Sequence, residues 1–169
     1  MKKIKYPTRY VPRSLSKNDE TKQLNMLAKS KRFYKQGRYF TRKQLPSYKN
    51  KKSTHLSNAR KIYGVDNISP NAELARKTGC SLSALKQIVK KGEGAYYSSG
   101  SRPNQTAQSW GLARLASSLT AGKAAAIDYD IIDKGCRHNG KAFCLAAKSR
   151  RKYNSGNSKT RKRVFNNTK

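Results

Sequence analysis

Apolar positions recur three to four residues apart along much of the chain, and residues that start and stop helices bracket them. Ser16 with Asp19 resembles a capping box, and Leu24, Leu27, Lys31 and Tyr34 follow at helical spacing, so a helix is predicted that ends at Gly37. The stretch RYFTRKQLPSYKNKK mixes rings, cations and Pro46 and reads as an extended connector with at most a short strand. Ser53 can cap a short helix carrying Leu56, Ala59, Ile62 and Tyr63, closed by Gly64. Further on, Ser69-Pro70 reads as an N-cap followed by proline at the first helical position, for a helix NAELARKT that stops at Gly79. SLSALKQIVKK forms the next, from Ser81 to Gly92, and GEGAYYSSGSRPNQ is too rich in Gly and Ser for regular structure. TAQSWGLARLASSL makes a third helix, broken by Gly122, and KAAAIDYDIIDK a fourth, ended by Gly135. Each is short and must bury its apolar face against the others. No internal repeat is visible.

Charge sharpens this outline. The chain has 169 residues, 39 Lys and Arg against 8 Asp and Glu, and a net charge of +31. Residues 1–63 hold +17, residues 64–136 only +3, and residues 137–169 +11. The expected architecture is therefore mainly α: a compact helical core at 64–136 of about four short helices, between long extended basic arms at 1–63 and 137–169. The tail KSRRKYNSGNSKTRKRVFNNTK has too few apolar residues to offset its ordering entropy and is expected to be disordered when free. A surface this positive argues against an ordinary enzyme and for an anionic or closely packed partner. No apolar run approaches the roughly 20 residues of a spanning helix, and the lysines of the N-terminus precede no apolar signal region. Three cysteines, an odd number, suggest no disulfide framework and a reducing compartment.

The candidate chemistry is mostly that of binding. Ala75, Gly79 and Leu85 have the spacing of a helix-turn-helix, with Ser81, Ser83 and Ala84 at the tip of the second helix and Lys86, Gln87, Lys90 and Lys91 behind. Ser and Ala read bases poorly, and no guanidinium is placed for bidentate contact to guanine, so a plain helical hairpin is the simpler reading. Gly92, Gly94 and Gly100 lack the order of a phosphate loop. Cys136, His138 and Cys144 lack the paired spacing of structural zinc, so neither metal nor cofactor is expected. His55 and His138 have no carboxylate close in sequence to orient them, and Asp128, Asp130 and Asp133 read as a solvated face or as partners for Arg and Lys, so no catalytic residue is expected. The residues proposed to meet an anionic partner are Lys2, Lys3, Arg9, Arg13, Lys31, Arg32, Arg38, Arg42, Lys86, Lys90, Lys91, Arg150, Arg151, Lys152, Arg161, Lys162 and Arg163. Tyr6, Tyr10, Phe33, Tyr34, Tyr39, Phe40 and Tyr48 interleave with the basic residues. That pattern suits stacking on single strands and equally suits rings inserted into pockets on neighbouring proteins.

Finally, GEGAYYSSGSRPNQTAQSWGLARLASSLTAGKAAAIDYDIIDKGC, with ELARKTGCSLSALKQIVKKG before it and YPTRYVPRSLS at its head, resembles a family of small basic virion proteins of large double-stranded DNA viruses. The resemblance spans roughly residues 6–145 and implies a virion component, with no catalytic or ligand residues to carry over. Two functions follow as expectations. One is a minor capsid or cement protein that links capsomers from the inner face of the shell through its arms, partnered by the major capsid protein and other minor capsid proteins. The alternative is a genome-associated protein that condenses packaged DNA with its arms and hairpin. Either places it in the virion, at the capsid inner face, with assembly in the host cytoplasm or viral factory.

Overall fold

The computed structural model describes residues 3–166. Among them are two strands, eight α-helices and one 3-10 turn. Strand β1 (Lys3–Pro7) pairs antiparallel with β2 (Lys162–Asn166) in the register Ile4 to Phe165 and Tyr6 to Arg163. The helices are α1 (Lys17–Lys35), α2 (Thr54–Tyr63), α3 (Ala72–Thr78), α4 (Leu82–Ser98), α5 (Ala107–Leu119), α6 (Lys123–Ile127), α7 (Tyr129–Gly135) and α8 (Lys141–Lys152), followed by a 3-10 turn at Asn154–Gly156. No helix among the described residues is long and apolar enough to cross a membrane.

The chain forms two compact units. One comprises Met1–Lys51, Ala95–Ala107 and Lys159–Lys169, the other Lys52–Gly94 and Gln108–Ser158. The stretch read as one N-terminal arm, 1–63, is thus shared between two folded bodies, and α4 contributes to both.

Several local expectations hold. The Ser16 side chain accepts from the Asp19 N–H to start α1, and Ser53 caps α2 through the Leu56 N–H. Gly64 and Gly79 close α2 and α3 in the left-handed conformation. Others shift. The cap of α3 is Asn71, two residues later than expected, with its side chain on the Leu74 N–H. The predicted fourth helix is two, α6 and α7, hinged at Asp128. Helix α4 runs through Gly92 and Gly94 to Ser98, where a structureless loop was expected. Its glycines serve packing rather than breaking: a Cβ on Gly92 would lie 2.7 Å from the Gly111 Cα of α5, so only glycine permits this crossing.

The larger correction concerns the arms. No long extended arm exists at either terminus of the described residues. The sequence 137–169, expected to be an extended arm with its tail from Lys148 disordered when free, instead supplies α8 and β2. Helix α8 packs on α6 and α7 and buries Ala142, Ala146 and Ser149, with the Ser149 hydroxyl donating to the Gly122 carbonyl at 2.7 Å. Small residues make this buried face, which is why its average composition looked unable to fold. Strand β2 is held by its ladder and by Arg163, which reaches Glu20 at 2.7 Å and donates to the Val11 carbonyl at 2.8 Å.

The second unit has the apolar core: Tyr63, Val65, Ile68, Leu74, Leu85, Ile88, Leu115, Leu119 and Ile132, with buried alanines between the helices. Cys80 and Cys136 face each other across an isolated antiparallel bridge and form a disulfide, so the expectation of no disulfide framework fails for this pair. The two residues are 56 apart in sequence, and only the fold brings them together. Cys144 is free and exposed. Asp128 is fully buried at the α6–α7 hinge, where Arg114 donates to it through Nε at 2.8 Å and Nη2 at 2.7 Å, with Ser118 and Lys91 completing the group. Asp128 therefore has the paired role expected of the aspartates.

Candidate nucleic-acid interface

The first unit carries an aromatic and basic surface that begins at the end of α1. That helix stops because Gly37 turns left-handed at φ +69, and the reversal is closed by two hydrogen bonds, Gly37 N–H to the Tyr34 carbonyl and Arg38 N–H to the Phe33 carbonyl. A side chain at this φ would be strained. The turn folds Arg38, Tyr39 and Phe40 back on the last turn of the helix. Phe40 meets Phe33 edge-on at 6.0 Å, and Tyr39 meets Tyr34 at 6.2 Å. Tyr97, from the end of α4, completes a triad: its ring lies 4.9 Å from that of Tyr39 and is parallel to that of Tyr34 within 8° at 6.3 Å.

Cations frame the rings. The Lys29 ammonium sits 4.6 Å from the Phe40 centroid and 5.2 Å from that of Phe33, and the Arg38 guanidinium lies 4.2 Å from Phe33. Lys31, Arg32, Lys35 and Lys43 are exposed around them. Tyr34 is 38% exposed and Tyr39 70%, so these rings face solvent rather than a core.

Beneath the surface, Arg42 fixes the connector. Its backbone N–H donates to the Tyr96 hydroxyl at 2.9 Å, and its guanidinium donates to the Ser30 hydroxyl, the Tyr96 carbonyl and the Ser101 hydroxyl at 3.1, 2.9 and 2.7 Å. The guanidinium also stands 3.7 Å over the fully buried Tyr96 ring. Burial pushes the Arg42 guanidinium below its ordinary pKa, with Tyr96 and its tyrosine neighbours opposing that shift. At the other end of α1, the Ser47 hydroxyl and backbone N–H both donate to Asp19 Oδ2, at 2.6 and 3.0 Å, and hold this carboxyl below the usual range, assisted by Lys22.

The predicted contact residues distribute unevenly. Lys2 lies outside the described residues. Lys3, Arg9, Arg13, Lys31, Arg32, Arg38, Arg161 and Lys162 are exposed on the first unit. Arg42 is buried and Arg163 is paired with Glu20, so both are structural rather than free for a partner. Lys86, Lys90, Lys91, Arg150, Arg151 and Lys152 are exposed on the second unit, where Lys91 pairs with Asp128 at 3.0 Å and Arg150 covers the Tyr129 ring at 4.3 Å. Tyr97 was missed as part of the ring cluster, because a loop was expected where α4 continues.

The hairpin α3–α4 forms, with Leu74 and Leu85 in its core. The tip of α4 meets α7, however. A Cβ on Gly135 would come within 2.4 Å of the Ala84 Cβ, and the Cys80–Cys136 link ties the two segments. A cleft of about 350 Å³ lined by Ser83, Gln87, Asp130 and Lys134 lies beside this contact. One side of the would-be recognition helix is therefore covered, and Lys86 and Lys90 face solvent instead of a reading tip. Asp133, five residues before His138, approaches its imidazole at 3.1 Å, so the expectation that no nearby carboxylate meets this histidine is wrong, and the imidazole stacks on Phe143 at 4.2 Å. No cluster of three His, Cys, Asp or Glu that could hold a metal occurs among the described residues.

These features define a small basic helical protein with a ring-studded surface. Residues 7–135 match a family described as "Family of unknown function (DUF5824)", and the chain belongs to that family. No curated protein and no solved structure matches the chain.

Proposed function

We propose that the protein is a genome-associated virion protein of a large double-stranded DNA virus that binds nucleic acid through phosphate contacts. One observation carries this. The first unit has 22 Lys and Arg against 2 acids, and both acids are already engaged, Asp19 with Ser47 and Lys22 and Glu20 with Arg163. Most of its cations therefore have no internal counter-charge, and a phosphate backbone supplies one at regular spacing. Packaged DNA is the partner, and the capsid inner face is where such a protein meets it; assembly follows in the host cytoplasm or viral factory.

A capsid-linking role remains a second reading. Extended arms no longer support it, but Val164 and Ile127 are 54% and 46% exposed, and a neighbouring capsid protein would cover such aliphatic residues. Val164→Asp and Ile127→Asp would then reduce incorporation into particles, and unchanged incorporation removes this role. For the favoured reading, the test is binding of the full chain to a duplex oligonucleotide at rising salt. Affinity should fall by about 10³-fold or more between 50 and 200 mM salt. No binding at the lower salt overturns the proposal.

A further inference from the structure

We propose that the exposed rings of Tyr34 and Tyr39, with the half-buried ring of Tyr97, form a stacking platform for unpaired bases, so that the first unit adds base stacking to the phosphate contacts it makes with duplex and holds single strands more tightly. This rests on the nucleic-acid reading above and adds the class of strand. The three rings are mutually 4.9 to 6.3 Å apart, and two of them are parallel within 8°. They lie where the chain reverses at Gly37, so their positions are set by a hydrogen-bonded helix end and not by a loose loop.

Charge selects the ligand. Lys31, Lys35 and Arg38 flank the rings and are exposed. The unit's two acids, Asp19 and Glu20, lie fourteen or more residues back along α1, about 21 Å at the helical rise, and Glu93, one turn before Tyr97 on α4, is outnumbered by Lys31, Lys35 and Arg38. A cationic ligand, such as a methylated lysine that three rings could otherwise cage, is repelled here. A duplex offers phosphates to the cations but keeps its base faces stacked and out of reach. A single strand offers both, phosphates for the lysines and free π-faces for the tyrosines. An acidic protein segment would use the cations but has no chemistry that calls for three rings, and the experiment below separates it.

The test compares the full chain with Tyr34→Ala/Tyr39→Ala, Tyr34→Phe/Tyr39→Phe and Tyr34→Leu/Tyr39→Leu, using a fluorescent dT oligonucleotide, a mixed-sequence duplex of equal length, and poly-glutamate. Both positions face solvent, so the variants keep the fold, which thermal melting checks. The wild type should bind dT more tightly than duplex. The alanine variant should bind dT about 10-fold or more weakly, with duplex affinity within twofold of wild type. The phenylalanine variant should retain dT binding, and the leucine variant should lose it, because a π-face and not mere bulk is required. Independently of any substitution, photo-crosslinking wild type to a 5-iodouridine strand should label Tyr34, Tyr39 or Tyr97. Crosslinks confined to other residues overturn the platform, as does full dT binding by the alanine or leucine variant. Equal loss of poly-glutamate and dT binding in the alanine variant assigns the surface to an acidic protein and also overturns it. If neither dT nor duplex binds at low salt, the nucleic-acid reading itself fails. Duplex binding without any ring dependence leaves that reading standing and removes only the platform.

Discussion

The unit built on Lys52–Gly94 and Gln108–Ser158 has 17 Lys and Arg against 6 acids, whereas its companion has 22 against 2. The difference shows in what holds each together. The first of these buries leucines and isoleucines from several helices, neutralises its one fully buried carboxylate with Arg114 and Lys91, and is tied by a disulfide. The charge-rich unit has fewer buried aliphatics, chiefly Val11, Leu15, Leu27 and Leu45, and makes up its interior from Tyr10, Tyr48, Tyr96, Gln23 and a buried arginine. There a cation is stabilised by a ring face and three neutral acceptors instead of a carboxylate. A unit that uses hydroxyls and π-faces inside leaves its surface cations uncompensated. That is the arrangement expected of a body whose counter-charge arrives with its ligand.

The contrast can be broken at graded cost. Arg114→Met leaves the buried Asp128 carboxylate with only Lys91 and Ser118 and should destabilise the aliphatic unit by about 3 kcal/mol in urea unfolding; a loss under 1 kcal/mol would mean that the guanidinium is incidental. Cys80→Ser/Cys136→Ser should cost about 2–4 kcal/mol, since it opens a loop of 56 residues, and reduction with a strong thiol should lower the melting temperature of the wild type similarly. Arg42→Met in the charge-rich unit should cost about 2–3 kcal/mol by leaving three acceptors unpaired. Arg42→Lys should recover only part of this, because an ammonium cannot match the planar fork, and full recovery would show that charge alone suffices. The smallest effect is pH-dependent. The Asp19 carboxyl is depressed in the folded state, chiefly by the Ser47 hydroxyl, so its contribution is complete above the ordinary carboxylate pKa near 4 and is lost as pH falls through the folded value. The stability gap between wild type and Asp19→Asn should accordingly narrow on acidification; a gap constant from pH 7 to pH 3 contradicts the assigned hydrogen bonds.

Much of the helical outline is legible in the chain because its signals are local. Ser16, Ser53, Gly64 and Gly79 act within one turn of themselves, and they mark real helix ends. The errors come from contacts made at long range. Gly92 looks like a breaker until Gly111 is seen against it, and β2 looks like a solvated tail until Arg163 finds Glu20 and the strand finds β1. Cys80 and Cys136 become partners only through the packing of α4 on α7. The interleaved rings and cations near residues 33–40 were visible in the sequence. Their convergence was not, since Tyr97 arrives from more than fifty residues away. Charge segregation was legible in kind but not in boundary: two arms around a neutral centre are in fact two folded units of unequal charge.

The central claim is that the charge-rich unit is the nucleic-acid-binding one. It is tested most directly by the salt dependence of oligonucleotide binding for two charge-reversal variants, Lys31→Glu/Lys35→Glu/Arg38→Glu in that unit and Lys86→Glu/Lys90→Glu/Arg151→Glu in the other. The first should weaken binding about 100-fold or more and flatten the salt slope by about three contacts, while the second changes affinity less than tenfold. Equal losses from the two variants, or a larger loss from the second, would contradict the assignment.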